Sequence, residues 1–194
     1  MNLFYLLLIA ISSIIYSCKN GQESIADTGH SKTIEVIKAI IQEDSLQEDF
    51  ADLEIYSVLT KYISRKEKAH FTPGPPPGSA RLFPEIEEIL KSDLPEITVS
   101  VEDSLFFKEQ EENSSEIWLS QSDFPEYTLS KKNSPFPKAY IYFSSPIFNA
   151  SKNIAFVEVG LFCGGECGWG GYRILKKFEN NKWRVVKEKS YWVS

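Results

Sequence analysis

Histidine, cysteine and clustered positive charge are all scarce in this sequence of 194 residues, and each scarcity narrows what the protein can do. Only two histidines are present, His30 and His70, and neither falls in a strand or helix pattern near a marked serine. A Ser-His-Asp arrangement therefore has no convincing base. Two histidines and three cysteines scattered along the chain also make a poor zinc site, which needs four converging ligands. Acidic residues outnumber basic ones 27 to 21, giving a net charge of -6. The basic residues come as isolated pairs such as Lys131-Lys132 and Lys176-Lys177, too short to build the positive face that nucleic acid requires. No apolar run reaches the ~20 residues of a membrane-spanning helix. The glycine-rich "GGECGWGG" lacks both the Gly-Lys-Ser/Thr of a phosphate loop and the strand-to-helix setting of a dinucleotide site. No cofactor or metal is expected, and no catalytic residue is assigned.

What is present is the composition of a folding domain, with 42% apolar and 13% aromatic residues. Leu3 to Tyr16 is an uncharged apolar run of fourteen residues, the length of the hydrophobic part of an export signal. It closes on Ile15-Tyr16-Ser17-Cys18. This resembles the lipobox of bacterial lipoproteins, although Tyr16 is bulkier than usual and no Lys or Arg precedes the run. The resemblance implies a signal peptide over residues 1–17, cleavage before Cys18, and acylation of Cys18, whose partner is then membrane lipid. Two or three acyl chains hold a protein on a bilayer where one does not. The polar stretch to Lys32 reads as a tether over residues 18–32, leaving 33–194 as one globular domain at the cell envelope.

Within that domain the fold class expected is α+β. Ile34, Ile37, Ile40 and Ile41 recur at helical spacing from Thr33 to Asp44. A second helix is expected over residues 49–68, where Phe50, Leu53, Tyr56, Leu59, Tyr62 and Ile63 form one stripe. The proline-rich stretch Phe71–Pro84 is a surface crossover, followed by a short helix over Pro84–Leu90. Between Glu96 and Leu129, "ITVSV", "SLFF", "EIWL" and "EYTL" read as strands. The last third is a β-meander: Ala139–Ser144, Ile154–Phe162, Gly171–Phe178 and Lys182–Val193, with Asn180-Asn181 as a two-residue hairpin turn. The N-terminal helices are expected to pack on this antiparallel meander; a cone-like sheet of the nuclear-transport-factor kind is the alternative.

Cys163 and Cys167 lie at adjoining strand ends, separated by three residues. A hairpin there would bring their Cα atoms within disulfide range, and the lipoprotein resemblance places them in an oxidising compartment with Cys18 already acylated. A thiol-redox reading competes, but redox pairs of the thioredoxin type have two intervening residues and a helix N-terminus behind the nucleophile. Trp169, among glycines at the same corner, is either a solvent-facing binding anchor or a cap folded back on the sheet. Glu158, the one acid in an apolar strand, is the other binding residue singled out.

Ser144 to Asn149, Ala155 to Val157, Cys163-Gly164, Cys167-Gly168, Tyr172 to Lys177 and Lys182 to Val186 together look like a module recurring in bacterial lipoproteins and secreted proteins without an assigned activity. The resemblance covers Tyr140 to Ser194 and implies kinship without chemistry. The sequence thus points to a lipid-anchored envelope protein with a binding or structural domain. The partner beyond membrane lipid is a protein or small molecule, not nucleic acid. An envelope hydrolase or thiol oxidoreductase working around Cys163, Cys167 and Glu158 is the rival reading.

Overall fold

The computed structural model describes residues 29–43, 53–62, 85–113, 115–130, 139–163 and 167–193. The expected signal run, Cys18, His70 and the proline crossover lie outside these residues. Met1–Glu35 and Val36–Ser194 form two compact units. The chain is α+β, with helices α1 (29–43), α2 (Ile86–Asp93) and α3 (Val101–Asn113) and a mostly antiparallel sheet. Helix α1 starts four residues ahead of the expected Thr33, inside the stretch read as tether.

Nine strands are present among the described residues: β1 (Glu54–Ile55), β2 (Val58–Leu59), β3 (Ile117–Trp118), β4 (Thr128–Leu129), β5 (Tyr140–Phe143), β6 (Ile147–Phe148), β7 (Ile154–Phe162), β8 (Gly168–Lys177) and β9 (Trp183–Val193). The main sheet runs β4-β1-β5-β7-β8-β9, with β6 also paired to β7. The meander from β5 to β9 is antiparallel, as expected. β1 joins β5 and β4 in parallel, so the sheet is mixed at that side. β2 and β3 make a separate two-stranded ribbon.

The helix expected over residues 49–68 is not formed in its described part. β1 and β2 occupy it instead, because pairing with strands far along the chain satisfies the backbone: Tyr56 N–H donates to Ile141 O at 2.8 Å, Ser130 N–H donates to Ile55 O at 2.9 Å, and Val58 of β2 pairs with Trp118 of β3. Ile55, Val58 and Leu59 are buried by that pairing. Two expected strands are also replaced. Ile97 to Ser100 is irregular, and "SLFF" lies inside α3. A reciprocal cap overrides the β propensity here: Ser100 N–H donates to Asp103 Oδ2 at 3.0 Å, and Asp103 N–H donates to Ser100 Oγ at 3.0 Å.

Helix α3 is not amphipathic. It buries Phe107, leaves Val101 and Leu105 exposed, and is fastened to the sheet by side chains that reach backbone. Gln110 donates to Phe148 O at 2.7 Å and accepts the Phe148 N–H at 2.9 Å, so its carboxamide stands in for a neighbouring strand along β6. Asp103 Oδ1 accepts the Ala150 N–H at 2.9 Å. Helix α1 ends similarly, with Glu43 accepting the Val185 N–H at 2.7 Å.

β7 is buried on both faces along Ile154–Val157. Ile154 and Phe156 join Tyr172 and Ile174 of β8 in a cluster with Ile86, Ile89 and Leu90 of α2 and Phe107 of α3. The β8–β9 hairpin closes through Asn181 alone in the left-handed region, at φ 60°; Phe178 N–H bonds to Lys182 O at 3.0 Å. This is a type I turn followed by one left-handed residue, longer than the two-residue turn expected at Asn180-Asn181.

Candidate functional site

Strand alternation puts Ile154, Phe156, Glu158 and Gly160 of β7 on one face, with Tyr172 of β8 directly opposite Glu158. Four aromatic rings cross this face in sequence. Tyr62 meets Phe156 edge-on at 5.1 Å, Phe156 lies 5.3 Å from Tyr172, and Tyr172 lies 5.3 Å from Tyr191 of β9. Edge-on and tilted pairs at such separations suit the ring quadrupoles, and each adds roughly 0.5–1.5 kcal/mol beyond area burial. Beside the ladder, Gly160 makes room for the Tyr142 ring: a Cβ there would collide with it.

Three phenols therefore sit in one apolar band next to carboxylates. Burial raises the Tyr62 pKa above the ordinary tyrosine range, and the charges of Glu158 and Glu111 raise it further. Tyr191 is raised by burial and then by Tyr62, Tyr172, Glu158 and Asp93. Tyr172 is raised by burial and by its hydrogen bond to Asp93, at the last residue of α2. Asp93 moves the other way. Burial alone would raise it, but the hydroxyls of Tyr172 and Ser92 and the ammonium groups of Lys189 and Lys187 hold it below the usual carboxylate value. At neutral pH the ladder thus presents neutral phenols, and its carboxylate stays ionised.

An open cleft adjoins each end of the ladder. One, about 220 Å³, lies against α2, where Glu88, Ser92, Tyr172, Lys189 and Tyr191 line it. The other, about 330 Å³, lies against α3, lined by Tyr62, Phe106, Glu109, Asn113, Ser145 and Pro146 among others. The second is the larger, and it falls at the lower end of the volumes common for small-molecule sites.

The residues singled out from sequence are spread over this framework. Glu158 is half-buried beside the ladder, with its N–H bonded to Ser144 Oγ at 2.8 Å. Cys163 and Cys167 have their sulfurs at disulfide distance, with Cα atoms 5.1 Å apart, and Cys163 N–H donates to Cys167 O at 3.0 Å. Five residues of extended chain separate Glu158 from Cys163, about 16 Å at the rise of a β-strand. The acid and the sulfurs do not share a site. Trp169 is half-buried, and the Arg173 guanidinium stacks over its ring at 5.1 Å while pairing with Glu188 at 3.5 Å. Cys18 lies outside the described residues.

Tyr62, Tyr172, Tyr191, Asp93 and Ser145 were not singled out from sequence. Asp93 lies three residues past the helix expected over Pro84–Leu90 and ends the longer helix that forms. The tyrosines carried no local signal, since 110 residues separate Tyr62 from Tyr172. Among the described residues no group of three His, Cys, Asp or Glu side chains is arranged to hold a metal ion, and no helix is long and apolar enough to cross a membrane. No family model, curated protein or solved structure matches the chain.

Proposed function

We propose that the protein is a lipid-anchored envelope protein whose α+β domain binds a ligand or partner at the membrane face and does no chemistry on it. The observation that carries the binding half is the ladder with a cleft at each end. Its phenols are pushed toward permanent neutrality, so they serve as hydrogen-bond donors and apolar walls and are poorly matched to proton transfer at neutral pH. The anchoring half rests on the apolar run Leu3–Tyr16 ending in Ser17-Cys18, and on the resemblance of the Tyr140–Ser194 stretch to modules of exported proteins. In this reading Cys163 and Cys167 form a disulfide that shapes the β7–β8 corner, and the helices cover the meander. Closing so small a ring contributes at most about 2 kcal/mol. The rival, an envelope hydrolase or thiol oxidoreductase acting near the Cys163/Cys167 corner, would have Glu158 about 16 Å along the strand from Cys163.

Fractionation tests the anchor. The wild-type chain is expected in the membrane fraction, with a mass consistent with a modified Cys18 at the mature N-terminus, while Cys18→Ala is released or retained as unprocessed precursor. Wild-type protein found soluble and beginning at Met1 overturns the reading.

A further inference from the structure

Lys176-Lys177 does not stand alone in the fold, because the β8–β9 hairpin gathers further cations around it. Residues 168–193 hold seven Lys or Arg against Glu179 and Glu188, a balance of +5 in a chain whose net charge is -6. Residues 85–113, which carry α2 and α3, hold ten acidic residues against Lys91 and Lys108. Charge is thus divided between the helical segment and the hairpin whose second strand, β9, ends the main sheet among the described residues.

Strand register sorts the hairpin's charges by face. Lys176 pairs with Arg184, Ile174 with Lys187 and Tyr172 with Lys189, so four cations line one face. All four are exposed. Glu188 stands opposite Arg173 on the other face and pairs with it at 3.5 Å. Lys189 is answered by Asp93 at 3.7 Å, and Glu43 gives its carboxylate to the Val185 N–H. Among the described residues no carboxylate pairs with Lys176, Lys182, Arg184 or Lys187. Like charges directly opposite in a ladder weaken it, so Lys176 against Arg184 is a cost that no acid of the fold offsets. An anion outside the fold would offset it.

The tip of the hairpin adds an apolar contact. Phe178, the residue after β8, is 42% exposed, and the Arg184 guanidinium lies 5.6 Å from its ring centroid. An exposed aromatic ring flanked by Lys177, Lys182 and Arg184 has the composition of a bilayer-surface contact, with the ring at headgroup level and the cations on phosphates.

We propose that the β8–β9 hairpin docks on an anionic phospholipid bilayer, with Phe178 among the headgroups and Lys176, Lys182, Arg184 and Lys187 against lipid phosphates. A nucleic-acid duplex offers the same charge without an apolar layer for Phe178. The choice of a bilayer among polyanions rests on the envelope reading above, whereas the patch itself does not. Acylation at Cys18 would hold the chain near a membrane; the hairpin would fix how the domain faces it. Each Lys or Arg at an anionic surface is worth roughly five-fold in binding.

Amide hydrogen exchange on the full chain, read across residues 176–184, tests this. It is compared on vesicles of phosphatidylcholine alone and of phosphatidylcholine with about one-third phosphatidylglycerol. Exchange is expected to be at least ~3-fold slower on the anionic vesicles, and the difference should vanish at about 0.5 M salt. Joint replacement of three exposed side chains, Lys176→Gln, Lys182→Gln and Lys187→Gln, should bring the two vesicle types to within about 1.5-fold of each other. Phe178→Ser should remove about half of the slowing or more. Lys91→Gln with Lys108→Gln, on α2 and α3, should leave it unchanged. The proposal is overturned by equal exchange on both vesicles, by slowing that survives the triple replacement or Phe178→Ser in full, or by slowing that follows protein concentration and not lipid charge, as contact between copies would give. Equal slowing by a short DNA duplex also overturns it, since the patch would then take any polyanion. The anchor is read separately: retention on neutral vesicles reports it, and anionic vesicles added to a soluble chain still report the hairpin.

Discussion

The two ends of the aromatic ladder are built to opposite plans. At the α2 end the polar groups are tied to one another: the Tyr172 hydroxyl bonds to Asp93, Ser92 bonds to Asp93 at 2.9 Å and to Ile89 O at 3.1 Å, and Lys189 reaches Asp93 at 3.7 Å. At the α3 end the Ser145 hydroxyl is buried without a partner, and the residues around it open to solvent. A satisfied network fixes a helix against a sheet. An unsatisfied group of the same kind adds nothing to the fold.

Alkaline titration should show the largest effect, and there the two ends behave alike. Tyr62 and Tyr172 are buried and held neutral, whereas in the unfolded chain each ionises near pH 10. The folded state keeps protons that the unfolded state gives up, so stability is intact below pH 10 and falls above it. The slope is ~1.4 kcal/mol per pH unit for each tyrosine, about 3 kcal/mol for the pair. Phenolate absorbance for these residues should appear together with loss of near-ultraviolet circular dichroism, in one cooperative step. Ionisation of all nine tyrosines near pH 10 with the fold intact would show that the ladder is not closed to water.

Next in size, the two ends should part. Asp93→Ala strands the Tyr172 hydroxyl in a site where it is 1% exposed, and removes the acceptor of Ser92 and Lys189. A loss of about 2–3 kcal/mol in urea denaturation is expected. Tyr172→Phe in the same background should return part of it, because the stranded group is then gone. If the double variant is no more stable than Asp93→Ala, the network is weaker than its geometry implies.

The α2 end and the meander were partly legible from sequence for the same reason. Ile154 to Phe162 is a nine-residue run rich in branched and aromatic residues, long enough to read as a strand, and Glu87-Glu88 at the start of α2 mark a helix N-terminus. The segment around Tyr62 had no such length. β1 and β2 are two residues each, too short for a strand period to stand out against the helical stripe of Leu53, Tyr56, Leu59 and Tyr62, and the pairing of β1 with β4 and β5 and of β2 with β3 is set by residues far along the chain. Helix α3 was hidden by its own apolar residues, since Val101 and Leu105 face solvent at 79% and 66% exposure. Its one local signal was the Ser100–Asp103 cap. Which face Ser145 turned to, and whether its hydroxyl found a partner, depended on Thr60 and Gln110, and no spacing rule reaches that far.

Acid should produce a smaller change than alkali, shared between the ends. Asp103, like Asp93, is raised by burial but lowered more by what bonds to it: the N–H and hydroxyl of Ser100, and the N–H of Ala150. Both carboxyls are held below their unfolded values, so their contribution is complete above about pH 4 and drains away as pH falls through the folded values. Asp103→Asn should flatten the acid limb of the stability curve and loosen the start of α3, read as faster amide exchange at Ala150. An acid limb identical to wild type would mean that the cap and clasp are made only weakly.

The smallest change in stability, and the most telling, is expected at Ser145. If its hydroxyl were a structural group like that of Ser144, replacing it with a methyl group's worth of surface would cost about 1 kcal/mol, as the loss of a typical hydrogen bond does. Since no protein group pairs with it, Ser145→Ala removes a buried polar atom and nothing that the fold uses. Stability should therefore stay level or rise by up to about 1 kcal/mol, while Ser144→Ala, which deprives the Glu158 N–H of its acceptor, should lose about 1–2 kcal/mol. Two adjacent serines, both buried and opposite in sign, are the sharpest form of the contrast between the two ends. Equal losses at both would place Ser145 in the structural network and return the larger cleft to the same plan as the smaller.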